Sequence, residues 1–249
     1  MLELIVLCTA GFAAGLLNAV AGGGTFLTFP ALVWAGLPVV SANATATLVA
    51  LPGYISSAWG FRNDMQAEGS LGLKSIYAIA CLGAVIGALL LIVTPNEIFS
   101  GVVPWLLMLA TVLFGASQWI LALVRKRGFG DAGPLVSLLT LGTVSIYGGY
   151  FNGGLGIMLL AAFSLLGWTN LHGMNGLKNV LSAILSLISA VTFIIAGLIV
   201  WKPALIMMVF STLGGYVGAA QSRKIKRTDL LRLFVTGVGG AMTLAFFLT

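Results

Sequence analysis

Long apolar stretches recur along the whole sequence and are separated only by short polar segments. Only 7% of the residues are charged, whereas a soluble domain carries about 25%. Such a chain cannot cover a water-facing surface, so the sequence predicts an all-α polytopic membrane protein. A helix needs roughly 20 residues to cross a bilayer, and six stretches meet or approach this length: residues 40–61, 71–93, 102–124, 173–200, 203–220 and 230–248.

Two further apolar stretches are interrupted by clusters of glycine. The first covers residues 2–37 and contains Gly22–Gly24, and the second covers residues 135–167 and contains Gly153–Gly156. In each, the apolar run after the cluster is too short to span the bilayer. Glycine disfavours helix formation. Irregular backbone at membrane depth is tolerated only where protein or a water-filled cavity provides hydrogen-bond partners for its N–H and C=O groups. We therefore expect two helical hairpins with glycine-rich tips.

The distribution of charge predicts the orientation of the chain. The most basic segments are Arg125–Arg127 and Arg223–Arg227, and the positive-inside rule places both in the cytoplasm. The segment 94–101 has Glu97 and no basic residue, so it is expected outside. Counting crossings then puts both chain termini outside, and the two hairpins enter the bilayer from opposite faces. A bacterial inner membrane is the expected location.

The two halves of the sequence carry matching landmarks. Asn18 precedes the first glycine cluster and Asn152 the second, and the separation of Gly24 from Asn43 equals that of Gly156 from Asn175. We predict an inverted-topology repeat of residues 1–127 and 128–249, each half a glycine-rich hairpin followed by three transmembrane helices. This architecture is typical of secondary transporters.

The hairpin tips are also candidate binding sites. The helix that starts after each cluster should present backbone N–H groups near mid-membrane, and a helix N-terminus attracts anions. The alternative is that the glycines serve only close helix packing, as expected for the pairs Gly83/Gly87 and Gly214/Gly218.

These motifs resemble a known family. The segments "NAVAGGGTFLTFPALVWAGLP" and "YFNGGLGIMLLAAFSLLGWTN" are similar to those of the TauE/SafE family of sulfite and organosulfonate exporters. The resemblance extends over nearly the whole chain and includes its internal duplication. It implies an anion exporter of the bacterial inner membrane. Leu155 interrupts the second glycine run, which departs from a symmetric pair of tips.

Lys178 is the most informative charged residue. It lies a turn or two inside the stretch 173–200. An ionisable side chain within a membrane segment suggests a functional role. A lysine that snorkels to the inner interface is the alternative. Lys178 and Asn175 share a helix face, and together they would complement an anion. The candidate substrate-binding residues are Asn18, Gly22, Gly23, Gly24, Thr25, Asn43, Thr47, Asn152, Gly154, Gly156, Asn175, Lys178 and Asn179.

Several chemistries have no support in the sequence. No Asp or Glu lies deep in an apolar stretch, and no metal-ligand cluster, nucleophile–base pair or phosphate-binding motif is present. We therefore expect a transporter without a cofactor or catalytic residues. A channel-like anion conductor and a membrane-embedded enzyme are the alternatives. The expected partners are a small sulfur oxyanion and the lipid bilayer, without nucleic acid. The oligomeric state stays open, and a homodimer is compatible with the sequence.

Overall fold

The computed structural model describes residues 1–20, 22–60, 68–127, 133–222 and 228–248. All regular elements within these ranges are helices, which confirms the all-α prediction. In chain order the helices are α1 Leu2–Val20, α2 Thr25–Trp34, α3 Val39–Gly60, α4 Leu73–Val93, α5 Asn96–Arg127, α6 Pro134–Tyr150, α7 Leu155–Leu165, α8 Leu171–Ile195, α9 Trp201–Ser222 and α10 Thr228–Leu248.

Among the described residues, five helices contain a segment that is long and apolar enough to cross a membrane. These segments are Leu2–Ala19, Val39–Trp59, Leu73–Val93, Asn96–Leu113 and Gly173–Ile195. Helices α2 and α7 are too short to cross, as predicted for the runs that follow the glycine clusters. The crossings predicted at residues 203–220 and 230–248 correspond to α9 and α10 and stay predictions.

Helix α8 is shorter than the predicted span 173–200, because it ends at Ile195. Gly197 follows in a left-handed conformation with a φ of 71°. The N–H of Gly197 donates to the carbonyl of Ile194, and that of Leu198 donates to the carbonyl of Phe193. These bonds form a Schellman motif, which ends a helix where a glycine takes up positive φ.

Helix α5 differs from its prediction in the other direction. It covers Asn96–Arg127 rather than residues 102–124, and so includes polar residues at both ends. At about 1.5 Å per residue, a helix of this length exceeds a hydrocarbon core of about 30 Å. The apolar run therefore predicts the part of the helix that fits within the hydrocarbon core, and not the full length of the helix.

Glycines allow close packing at two of the helix–helix contacts. Helix α1 packs along α9, and α4 packs along α6. A Cβ added at Gly11 would lie 2.9 Å from the carbonyl oxygen of Met207, and one at Gly149 would lie 2.9 Å from the Cα of Ala84. Such contacts leave no room for a larger residue. The packing interpretation of the small-residue pairs on these helices is therefore confirmed.

The interhelical contacts occur in matched pairs. Each helix of one half can be matched to the helix five places away in chain order, so that α1 matches α6 and α4 matches α9. Under this matching the contact α1–α9 becomes α6–α4, α3–α9 becomes α8–α4, and α5–α7 becomes α10–α2. The contacts α3–α8 and α5–α10 each become themselves. Helices α2 and α7 also end alike, with Schellman motifs at Gly36 and Gly167. Both features agree with a duplicated architecture. The inverted orientation of the halves stays a prediction.

Hydrogen bonds join loops that the charge pattern assigns to the same side of the membrane. At the predicted inner face, Glu68 accepts hydrogen bonds from the backbone N–H groups of Thr169 at 2.8 Å and Asn170 at 3.0 Å. At the predicted outer face, the N–H of Val40 donates to Asn96 Oδ1 at 3.2 Å. The two ends of the helix assembly are therefore tied by different sets of contacts.

Candidate functional site

The two glycine clusters meet each other. A Cβ added at Gly22 would lie 3.1 Å from the Cα of Gly156, and one added at Gly156 would lie 3.0 Å from the Cα of Gly22. Gly22 has a φ of 80° and Gly154 a φ of 72°, a left-handed conformation that favours glycine. Glycine thus provides both the turns at these tips and the close approach of the two backbones.

Asn18 stabilises the first tip from within the same hairpin. Its side chain is fully buried, and its Oδ1 accepts a hydrogen bond from the N–H of Gly24 at 2.8 Å. A Cβ at Gly24 would lie 2.7 Å from the Cγ of Asn18, so this turn also requires glycine. The N–H of Gly24 is therefore already bonded.

The backbone N–H groups at the tips are less available than the sequence suggested. Besides Gly24, the N–H of Leu27 donates to the Gly24 carbonyl at 2.9 Å, and that of Leu155 donates to the Asn152 carbonyl at 3.3 Å. The turns at the starts of α2 and α7 thus use part of their own donors.

Asn152 connects the second tip to two other helices. It accepts a hydrogen bond from the Tyr54 hydroxyl of α3 at 3.2 Å, and its Nδ2 donates to Ser186 Oγ of α8 at 2.7 Å. All three side chains are buried. Asn152 therefore holds α3, α8 and the second glycine cluster together.

Two tyrosines near the tips were missed or misinterpreted from the sequence. Tyr54 is fully buried and contacts Asn152, although it was not among the candidates. Tyr147 was not among the candidates either, and its hydroxyl donates to the carbonyl of Gly153 at 2.6 Å. The sequence held a signal, because a tyrosine in mid-helix needs a buried partner for its hydroxyl.

Asn43 and Thr47 make no hydrogen bond to either glycine cluster in the part of the chain that the structure describes. Asn43 Nδ2 donates to the carbonyl of Tyr150 at the end of α6, at 2.9 Å, and the Thr47 hydroxyl donates to the Asn43 carbonyl at 2.9 Å. Asn43 Oδ1 has no partner among the described residues. These residues join α3 to the start of the second tip, and no hydrogen bond in the described part of the chain links them to Lys178.

Lys178 is buried beside the meeting point of the tips. Only 1% of its surface is exposed, so its ammonium group does not reach the surface as the snorkelling alternative requires. Its Cδ would lie 3.3 Å from a Cβ added at Gly156. Its Nζ lies 3.4 Å from Asn175 Oδ1, a neutral acceptor. No carboxylate pairs with it in the described ranges, although a buried charge normally requires a partner.

Unsatisfied polar groups lie on the same and neighbouring elements. Buried polar atoms in folded proteins are nearly always hydrogen-bonded, and exceptions suggest a missing ligand or water. Asn179 follows Lys178 directly, and neither of its amide atoms has a partner in the described structure. The other buried side-chain atoms without partners on α1, α2 and α8 are Asn18 Nδ2, Thr25 Oγ1, Thr28 Oγ1, Ser182 Oγ and Ser189 Oγ.

Helix α8 therefore carries a buried polar stripe past the second tip. Its members follow one another at intervals of one, three or four residues, which puts them on one side of the helix: Asn175, Lys178, Asn179, Ser182, Ser186 and Ser189. Asn175 is half-buried and the other five are buried. One cation with amide and hydroxyl groups can hold an anion through charge-assisted hydrogen bonds. The described residues contain no cluster of His, Cys, Asp or Glu that could bind a metal ion.

Comparison with known proteins adds independent information. Residues 7–246 match the model of the family described as "Sulfite exporter TauE/SafE". The chain is 32% identical over 225 residues to a probable membrane transporter protein of Haemophilus influenzae, covering 87% of this chain and 84% of the relative. It is 29% identical over 249 residues to the probable membrane transporter protein YfcA of Escherichia coli K12, covering 97% and 88% of the two chains.

Proposed function

Since the chain belongs to the TauE/SafE family and is a membrane transporter, we propose that it exports small sulfur-containing anions such as sulfite or organosulfonates. Substrate would bind where the two glycine tips meet, beside Lys178. The family assignment confirms the resemblance seen in the sequence. The substrate and the mechanism are our proposals.

The observation that carries this proposal is the isolated charge of Lys178. A buried ammonium without a carboxylate is unfavourable in a low-dielectric interior. An anionic substrate would supply the missing counter-charge, and Asn175 and Asn179 would add neutral hydrogen bonds. In a purely structural role, Lys178 would be expected to have an acidic partner.

The position of the proposed site between the two hairpins supports an alternating-access mechanism. The tips contact each other at Gly22 and Gly156, so a small separation of the hairpins would open a space beside Lys178. The contacts of Glu68 at one face and Asn96 at the other would then break in turn. An inverted repeat would make the inward-open and outward-open states structurally similar.

The membrane potential supports the outward direction. With the inside negative, it favours outward movement of an anion by about 2.3 kcal/mol per charge per 100 mV. Export therefore needs no carboxylate proton relay. Relatives occur in Haemophilus influenzae and Escherichia coli K12, which supports a location in a bacterial inner membrane. The described residues place no acid–base pair around Lys178, which favours a transporter without catalytic activity.

Flux measurements on reconstituted protein test this function. Proteoliposomes should take up radiolabelled sulfite or methanesulfonate faster than empty liposomes, and the rate should saturate with concentration. Loss of a charge-assisted hydrogen bond costs about 1.5–3 kcal/mol, so Lys178→Met should weaken apparent affinity by roughly tenfold or more. The control is Lys202→Met, which removes an exposed lysine at the start of α9.

Each outcome decides a different part of the proposal. Flux that rises linearly without saturation would indicate a channel-like conductor and contradict alternating access. Equal affinity in Lys178→Met and wild type would remove Lys178 from the site. If neither anion moves faster than through empty liposomes, the proposed substrate class is wrong.

A further inference from the structure

We infer that the site selects monoanions and discriminates against dianions of similar size. This inference rests on the proposed function, since it concerns the same site. Lys178 is the only buried cation among the side chains that the structure describes, because Lys74 and Lys202 are both exposed. In the sequence, the other Lys and Arg residues lie close to helix ends. The site therefore offers one positive charge.

The remaining polar groups around Lys178 are neutral. Asn175 Oδ1 lies 3.4 Å from its Nζ, and the amide of Asn179 and the hydroxyl of Ser182 are buried without partners. Amides and hydroxyls can donate hydrogen bonds to an anion, but they cannot neutralise its charge. Bound to Lys178, a monoanion forms a neutral pair, whereas a dianion leaves one uncompensated negative charge in the protein interior.

The first half of the chain has no cation at the position equivalent to Lys178. The spacing that relates Asn43 to Asn175 relates Ala46 to Lys178. Ala46 is fully buried in α3, so the position equivalent to Lys178 is occupied by a methyl group. The duplicated architecture could have placed two cations at the site, yet only one of the two equivalent positions is charged.

The selectivity has a chemical consequence for the substrate. Simple monosulfonates such as methanesulfonate are monoanions at all physiological pH values and satisfy the rule directly. Sulfite exists near neutral pH as a mixture of the hydrogensulfite monoanion and the sulfite dianion. The site should bind hydrogensulfite, so each exported sulfite would leave together with one proton and carry one negative charge.

Binding measurements with anions of similar size and different charge test the inference. Methanesulfonate and sulfate both keep a fixed charge near neutral pH, and calorimetry on the full chain in detergent can compare them. Methanesulfonate should bind at least about tenfold more tightly, a difference of roughly 1.4 kcal/mol. Ethanesulfonate and ethane-1,2-disulfonate should show the same order. Lys178→Arg, which keeps the charge, should keep this preference.

The outcomes separate this inference from the proposed function. Sulfate binding as tight as or tighter than methanesulfonate would overturn the monoanion rule and leave the anion site intact. Methanesulfonate binding of wild-type strength in Lys178→Met would overturn the role of Lys178 in selectivity. If the wild type bound none of the four anions, the proposed site would fail and the inference with it.

Discussion

The two halves of the molecule share backbone geometry and differ in chemistry. Gly22 and Gly154 both adopt positive φ, and α2 and α7 both end in the same hydrogen-bonded motif. Among the side chains that the structure describes, the buried charge occurs only in the second half, where Lys178 corresponds by spacing to Ala46 of the first. The shared geometry agrees with a duplicated architecture, whereas the lysine proposed to bind the anion stands in one of the two halves.

The two tip asparagines show the same division. Asn18 and Asn152 precede their glycine clusters and are both fully buried. Asn18 bonds within its own hairpin to Gly24, whereas Asn152 reaches to Tyr54 and Ser186 on two other helices. The first tip is stabilised locally and the second by the core. We expect the first hairpin to move more freely than the second.

The largest effect should come from adding a methyl group where the tips meet. Gly22→Ala would strain a left-handed residue by about 1 kcal/mol or more and also contact Gly156. Gly156→Ala keeps an allowed conformation but crowds Gly22 and the stem of Lys178. Transport in proteoliposomes should fall about tenfold or more in both, with Gly22→Ala the more severe.

Gly83→Ala is the matched control for these variants. Its Cβ would press on Ser145 in the contact between α4 and α6, and neither residue belongs to a glycine cluster. It should lower thermal stability without changing the apparent affinity of the folded protein. If the tip variants lose only folded protein, as this control does, then the tips serve packing alone.

A smaller effect should separate the two asparagines. Asn152→Ala leaves the Tyr54 hydroxyl and Ser186 Oγ without this partner, whereas Asn18→Ala leaves only the Gly24 N–H. Hydrogen bonds within membranes contribute about 0.6–1.7 kcal/mol each, so Asn152→Ala should lower the free energy of unfolding more. Thermal unfolding in detergent can rank the variants. Equal losses of unfolding free energy in the two variants would contradict the claim that the first tip is stabilised within its own hairpin and the second by contacts with other helices.

The apolar stretches and glycine positions made most of the fold predictable. Apolar stretches of sufficient length indicated the helices, and the clusters Gly22–Gly24 and Gly153–Gly156 indicated the breaks. Helix ends were less predictable. Gly197 ends α8 through its backbone conformation, and a hydropathy pattern carries no information on φ. The ends of α5 lie beyond its apolar run, where polar residues continue the helix.

The candidate site was only partly predictable. Lys178 stood out because a charge inside an apolar stretch is costly. Tyr54 did not, since its contact with Asn152 joins residues far apart in the sequence. The bonded N–H of Gly24 was also missed, because Asn18 was considered as a ligand-binding group rather than as a cap. Tertiary hydrogen bonds decide such roles, and one sequence does not encode them visibly.

The smallest effect is expected at the predicted inner face. Glu68 accepts from Thr169 and Asn170 across the two halves, but its position is partly exposed, and such contacts contribute about 1 kcal/mol or less. Glu68→Gln should alter the transport rate by severalfold at most and leave anion affinity unchanged. Glu97→Gln, an exposed change at the start of α5, is the control. A large loss of affinity in Glu68→Gln would contradict the assignment of binding to the tips.

Locating a bound anion tests the central claim most directly. Crystals grown with 2-bromoethanesulfonate would reveal the bromine by its anomalous scattering and the sulfonate by its density. We predict the sulfonate beside the contact of Gly22 and Gly156, with an oxygen about 2.7–2.9 Å from Lys178 Nζ. An ordered sulfonate elsewhere in the protein, with no density beside Lys178, would contradict the proposed site.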